Sequence, residues 1–205
     1  MDAVDERFLP VPGNVLPRFA GIASFMRLPL RTLADAADVD IALLGVPFDS
    51  ATSNRPGTRH GPRALRDAST MIRLVNQATG TAPFHLARCA DLGDCPVNPL
   101  SIPDTIERIA EHYAAIAAHG PVPLTAGGDH LISWPILRGL VGGRAPVGMI
   151  HVDAHSDLYP PYFGGFDSHG TPFRRAIEEG LLDPARVVQI GLRGTSIDMS
   201  DVDFG

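Results

Sequence analysis

Five short apolar runs, at residues 41–46, 84–90, 122–125, 147–152 and 187–192, are each bounded by glycine, proline or aspartate. This is the form a strand takes when both of its faces are covered. Between the runs, apolar residues recur at helical spacing. The longest stripe is Ile106, Ile109, Ala110, Tyr113, Ile116 and Ala117, one face of an amphipathic helix. Asp104 with Glu107 three residues on predicts a capped start for it, and Gly120 predicts its stop. Further helices are expected from Pro62 through Ala64, Leu65 and Ala68, and after Asp129-His130 through Trp134 to Leu140. A last one takes Thr171 as cap and Pro172 in its first turn, and ends at Gly180. Strands alternating with helices predict an α/β domain on a mainly parallel sheet, with ligands gathered at the C-terminal ends of the strands.

Composition narrows the function classes. The 205 residues suffice for one domain with a proper core. A net charge of −6, with no basic stretch to neutralise a row of phosphates, argues against a nucleic-acid partner. Prolines break up the first thirty residues, so neither a signal peptide nor a membrane span is expected. Cys89 and Cys95 are too few for a disulfide framework and suit buried thiols in a reducing, cytoplasmic setting.

Candidate chemistry sits at two strand ends. The run Val147-Gly148-Met149-Ile150-His151-Val152 leads into Asp153-Ala154-His155-Ser156-Asp157. In extended chain, residues at i, i+2 and i+4 point to one side, so Asp153, His155 and Asp157 converge. Oxygen ligands with imidazole favour Mn²⁺ or a similar hard-to-borderline ion. A solvated polar turn is the bland alternative. His151 shares the parity but lies one step deeper, and reads as a packed or supporting histidine. The second segment is Thr125-Ala126-Gly127-Gly128-Asp129-His130, in which two glycines permit a tight turn and close approach. A glycine turn before a histidine is by itself more often structural; beside the first cluster, His130 supplies a fourth ligand.

Together the two segments resemble the ureohydrolase family of arginases, agmatinases and related amidinohydrolases. The likeness extends over nearly the whole chain. It includes Pro17-Arg18-Phe19-Ala20-Gly21-Ile22, Gly45-Val46-Pro47-Phe48-Asp49, Ser53-Asn54-Arg55-Pro56-Gly57, Ser168-His169-Gly170-Thr171-Pro172-Phe173-Arg174-Arg175 and Gln189-Ile190-Gly191-Leu192-Arg193-Gly194. These favour the agmatinase-like branch over arginase proper.

The resemblance implies a three-layer αβα arginase-like fold with a mainly parallel sheet. Residues 1–205 would form a single, incomplete domain whose residues 1–40 are an N-terminal arm. It implies two Mn²⁺ ions, one held by His130, Asp153 and Asp157 and the second by His155, with Asp153 bridging. A pair of metal ions activates water for attack on the resonance-stabilised guanidinium carbon. His169 occupies the family's proton-shuttling position, although spacing alone equally fits a surface histidine near a helix cap. Asn54 would face the substrate tail. Arg55, Arg59, Arg63 and Arg66 are expected in salt bridges or subunit contacts rather than in an anion site.

Family members continue past residue 205 into an apolar strand ending in a D-x-D ligand pair. Their late strands lie between the third and fourth strands of the sheet. Such strands are missing here, which predicts a split sheet. Asp201-Val202-Asp203 reads as a surface loop rather than that pair. The implied reaction is manganese-dependent hydrolysis of a guanidino compound with release of urea, agmatine to putrescine in first place. The alternatives are a guanidino acid such as 4-guanidinobutyrate or 3-guanidinopropionate, or a catalytically incomplete metal-binding fragment. The partner is a small guanidino substrate, with neither nucleic acid nor membrane, and the complete enzyme would be a homo-oligomer.

Overall fold

A computed structural model describes residues 5–161, 163–196, 199–201, 203 and 204. Among these described residues five strands form, β1 (Ile41–Val46), β2 (Cys89–Asp94), β3 (Val122–Gly127), β4 (Val147–Val152) and β5 (Leu182–Ile190). Four helices lie between them, α1 (Gly61–Ser69), α2 (Ile102–His119), α3 (Ser133–Val141) and α4 (Pro172–Glu178). Every strand pairing is parallel, as the alternating pattern predicts.

Three local expectations shift: the fifth strand, expected at 187–192, spans Leu182–Ile190, and the second strand and the cap of the long helix move as well. The second strand is not 84–90. Residues Pro83–His85 form a 3₁₀ turn, and the strand begins at Cys89 and runs on through Asp91 to Asp94. Phe84 is apolar because it buries into a small cluster with Phe25, Leu28, Leu43 and Cys89, not because it belongs to the sheet. The long helix is capped by Ser101, whose hydroxyl accepts the Asp104 N–H, with Pro103 and Asp104 in the first turn. Its end is as read, with Gly120 in the left-handed conformation at φ 99°.

The main core lies between β1 and the helices, where Leu44, Val46, Ile109, Tyr113, Ile116 and Trp134 are buried. Gly139 of α3 comes so close to α2 that an added Cβ would stand 2.4 Å from the Ala110 carbonyl oxygen. That contact needs a residue without a side chain. α3 packs on α2 on one side and on α4 on the other, so it spans both halves of the molecule.

The sheet is indeed in two parts, β2-β1-β3 and β4-β5. β3 pairs only with β1 and β4 only with β5 among the described residues. β4 reads as doubly covered in sequence, yet Ile150 and Val152 are 75% and 74% exposed.

The arm is anchored by one polar cluster. Leu30 bridges to Asp91, whose carboxylate accepts the Phe25 N–H and pairs with Arg66 Nε at 2.8 Å. Arg66 also reaches Asp94 and stacks over the Phe25 ring. Arg59 pairs with buried Asp49, so two of the four arginines form salt bridges as expected. Cys89 and Cys95 are free and buried; burial pushes the Cys95 thiol up to about 12, which keeps it inert. Among the described residues, no helix is long and apolar enough to cross a membrane.

Candidate metal centre

The turn after β3 is built on Gly128. An added Cβ there would sit 2.3 Å from the Phe48 and 2.6 Å from the Val46 carbonyl oxygens, both just beyond or within β1. Asp129 then ties the turn in two directions, accepting the Leu131 N–H and the Ala51 N–H, each at 2.9 Å. Burial, outweighing those two bonds, pushes its carboxyl up to about 6. The next residue, His130, is thereby aimed across the seam toward the end of β4.

There it meets carboxylates. His130 Nδ1 lies 2.5 Å from Asp157 Oδ2 and 3.9 Å from Asp153 Oδ2. His151 Nε2 lies 3.6 Å from the same Asp153 oxygen and is buried with no hydrogen-bond partner. Donor atoms of His130, His151, Asp153 and Asp157 all fall within 4.8 Å of one another. Two carboxylates and two imidazoles, one carrying an orphaned nitrogen, form a donor set that fits a borderline divalent ion. Asp153 faces two ways. Its other oxygen, Oδ1, accepts the His155 N–H at 2.9 Å and stands 3.6 Å from His155 Nδ1.

The positions differ in part from the sequence reading. His151, taken as a supporting residue, is in the four-residue cluster. His155 stands outside it, its side chain 68% exposed, on the far side of Asp153. Strand parity could not separate the two, because the strand ends at Val152 and the chain bends before it reaches His155; further along the same turn Asp157 adopts φ +51°, a conformation that costs a non-glycine residue about 1–3 kcal/mol. The surrounding bonds hold it. Gln189 Nε2 donates to the Ser156 carbonyl at 2.6 Å and lies 3.1 Å from His151 Nδ1, while Ser156 Oγ donates to Asp201 Oδ2 at 2.6 Å. Asp201 is therefore buried beside the metal turn, and the expected surface loop at 201–203 is corrected for this residue. Its Ser156 contact, 45 residues away in sequence, has no local signal. Ile197, Asp198 and Val202, part of the same reading, lie outside the described residues.

His169 is not in the cluster. Its Nε2 lies 2.8 Å from Ser53 Oγ and its N–H donates to the Ala51 carbonyl, so the loop that Asp129 anchors also carries His169. Asn54 is exposed and lines neither of two neighbouring clefts. One, of about 420 Å³, opens at the seam beside His130 and Asp153. The other, of about 230 Å³, is lined by residues 50–53, Ile102, Asp167 and Ser168, with no cationic side chain.

Burial disfavours charge on His130, but the hydrogen bond to Asp157 and the charges of Asp157 and Asp153 outweigh it and raise its pKa. For His151, burial and the neighbouring His130 lower it. Burial would raise Asp153, yet the bonds from the His155 and Ala154 N–H groups and the nearby imidazoles hold it below the usual carboxylate range. A metal ion at the cluster competes with the His130 proton, and Mn²⁺ affinity measured by calorimetry is expected to rise as pH increases through the raised His130 value, above the ordinary histidine value of about 6.5. Without metal, that proton stabilises the fold below the unfolded histidine value of about 6.5. Its contribution is lost as pH rises through the raised folded value. Flat affinity across this range would place the ion away from His130.

Comparison with known proteins bears on the whole assembly. The family model described as the Arginase family matches residues 39–204. The guanidinopropionase of Pseudomonas aeruginosa is 51% identical over 196 residues, covering 95% of this chain and 61% of that protein. The mitochondrial agmatinase of Gallus gallus is 49% identical over 188 residues, covering 92% of this chain and 55% of that protein. Among solved structures, the proclavaminate amidinohydrolase of Streptomyces clavuligerus superimposes with a TM-score of 0.84 at 38% identity, over 92% of this chain and 63% of that one. The chain thus spans about three fifths of the length of these relatives.

Proposed function

The chain belongs to the arginase family, and from that premise we propose that it serves to hydrolyse a guanidino compound, releasing urea and an amine. The observation that carries this reading is the convergence of His130, Asp153 and Asp157 from two strand ends, with His151 and His155 on either side of Asp153. In this reading His130, Asp153 and Asp157 would hold one Mn²⁺, with His151 Nε2 as a further donor, and Asp153 and His155 would hold a second. When bound, the ions supply water activated for attack at neutral pH.

The chain's own groups do the rest. The seam cleft admits the planar guanidinium next to Asp153. Water oxygen bonds to the guanidinium carbon, the bond from that carbon to the substituted nitrogen breaks, and the amine leaves once it has gained a proton. In this reading His169, whose Nε2 lies beside Ser53 Oγ, delivers that proton. The substrate tail extends into the cleft at residues 50–53, and Asn54, the next residue along the chain, stays outside its lining. Asp167 lines that cleft and no cation does, which favours a tail ending in ammonium, as in agmatine, over one ending in carboxylate. The buried free thiols go with a cytoplasmic setting. Net charge −6 goes with neither nucleic acid nor membrane as partner, and exposed Phe19 and Ile22 on the arm go with assembly as a homo-oligomer.

The divided sheet favours one second reading, a metal-binding part of such an enzyme that is not active by itself. Urea release from agmatine, 4-guanidinobutyrate, 3-guanidinopropionate and arginine, measured with Mn²⁺ present, decides. Agmatine is expected to turn over fastest, and Asp167→Asn to raise its KM while leaving the guanidino acids unaffected or improved. Preference for a guanidino acid overturns the assignment of the tail. No urea from a folded chain that binds one Mn²⁺ or none supports the second reading.

A further inference from the structure

Arginine does not shed its charge, so a guanidinium taken out of water needs an anion or a full set of acceptors. Arg66 has two carboxylates. Arg27 has none. It is 9% exposed, its Nη2 donates to the Leu16 carbonyl at 2.8 Å, and its buried Nη1 meets no acceptor among the described residues. The chain is bent to put it there: Met26 and Arg27 both take positive φ, 53° and 60°, and Ser69 Oγ holds the Met26 N–H at 2.8 Å.

Arg27 lines a concavity of about 190 Å³ between the arm and the turn after α1, and Arg18 and Arg73 line the same space. Neither of these forms an ion pair among the described residues, whereas Arg7, Arg59, Arg66 and Arg88 all do. Arg18 folds over Gly13, where an added Cβ would stand 3.1 Å from its Cζ. Arg18, Arg27 and Arg73 thus line one hollow that has no carboxylate among its lining residues. The remaining wall is apolar, with Val11, Ile72 and Leu74. None of its lining residues belongs to the metal centre or to either cleft beside it.

We propose that this hollow is a binding site for a small aliphatic carboxylate. The carboxylate head is shared by Arg27, Arg18 and Arg73, and the short hydrocarbon body lies on Val11, Ile72 and Leu74. Bidentate pairing with planar guanidinium groups gives the head its selectivity, and the apolar wall distinguishes it from a bare oxyanion.

Calorimetry of the full chain with sodium butyrate, inorganic phosphate and sodium chloride at matched ionic strength tests this. Butyrate is expected to bind saturably with one site per chain. The exposed-side double variant Arg18→Ala/Arg73→Ala is expected to weaken it at least about tenfold. Arg27→Met is expected to abolish it and, in butyrate-free buffer, to raise Tm by removing an uncompensated buried charge. Equal heats from chloride, unchanged binding in the double variant, or binding of phosphate without butyrate would each overturn the proposal. So would concentration-dependent dimerisation lost in the double variant, which would assign the hollow to an acidic side chain of a second copy. If Arg27→Met does not fold, the double variant still decides.

Discussion

Replacing Asp153 with alanine is expected to weaken Mn²⁺ binding by well over a hundredfold, beyond the roughly 10–100-fold typical of changes to residues that merely support a ligand. Its oxygens face opposite ways, one toward His130 and His151, the other toward His155. Removing the carboxylate therefore disconnects both sides at once. Mn²⁺ titration followed by electron paramagnetic resonance reads the loss directly, with circular dichroism confirming that the variant is folded. Asp201→Asn should fall in the lower range, because Asp201 acts only through Ser156 on the strained turn. Equal losses for the two variants would mean that Asp153 positions rather than ligates.

The largest stability effect is expected away from the site. Arg66→Leu should cost about 3–5 kcal/mol in chemical denaturation, the range for breaking a buried ion pair by removing one partner. Asp91 is 0% exposed, and after the substitution it keeps only the Phe25 and Gly93 N–H groups. Its charge would be left in the core at the point where the arm, β1 and β2 meet. A loss below about 1 kcal/mol, the range of a surface pair, would show that water reaches Asp91 and that the arm is not anchored there. Arg55 and Arg63, which form no ion pair among the described residues, serve as controls expected to be near neutral.

Asp91 also explains why part of the fold escapes a sequence reading. Periodicity treats aspartates as strand boundaries, yet β2 carries Asp91 and Asp94 inside it because Arg66 answers them from 25 and 28 positions away. β1 and β4 contain no such residues and are legible to the residue. Ser101 with Asp104 and Asp104 with Glu107 have the same three-residue capping spacing, and only the hydrogen bond to Ser101 separates them. At the site, the pairing of the two strand ends was legible, since the ligand-type residues follow the apolar runs directly. The order of His151 and His155 was not. Alternation holds only while the chain is extended, and the strand ends at Val152, between the two histidines. Resemblance supplied the divided sheet, which no local pattern encodes.

That division constrains what could ever close it. Both β3 and β4 run toward the cluster, their C-terminal ends leading into His130 and Asp153, and each keeps one edge unpaired among the described residues. A strand that continues their parallel sense cannot arrive by a tight hairpin from either neighbour, since parallel pairing needs a crossover of a dozen residues or more. The seam thus screens candidates by direction before it screens them by sequence: local chain is refused, and only a segment coming from a distance, with its C-terminal end toward the metal centre, can be threaded home.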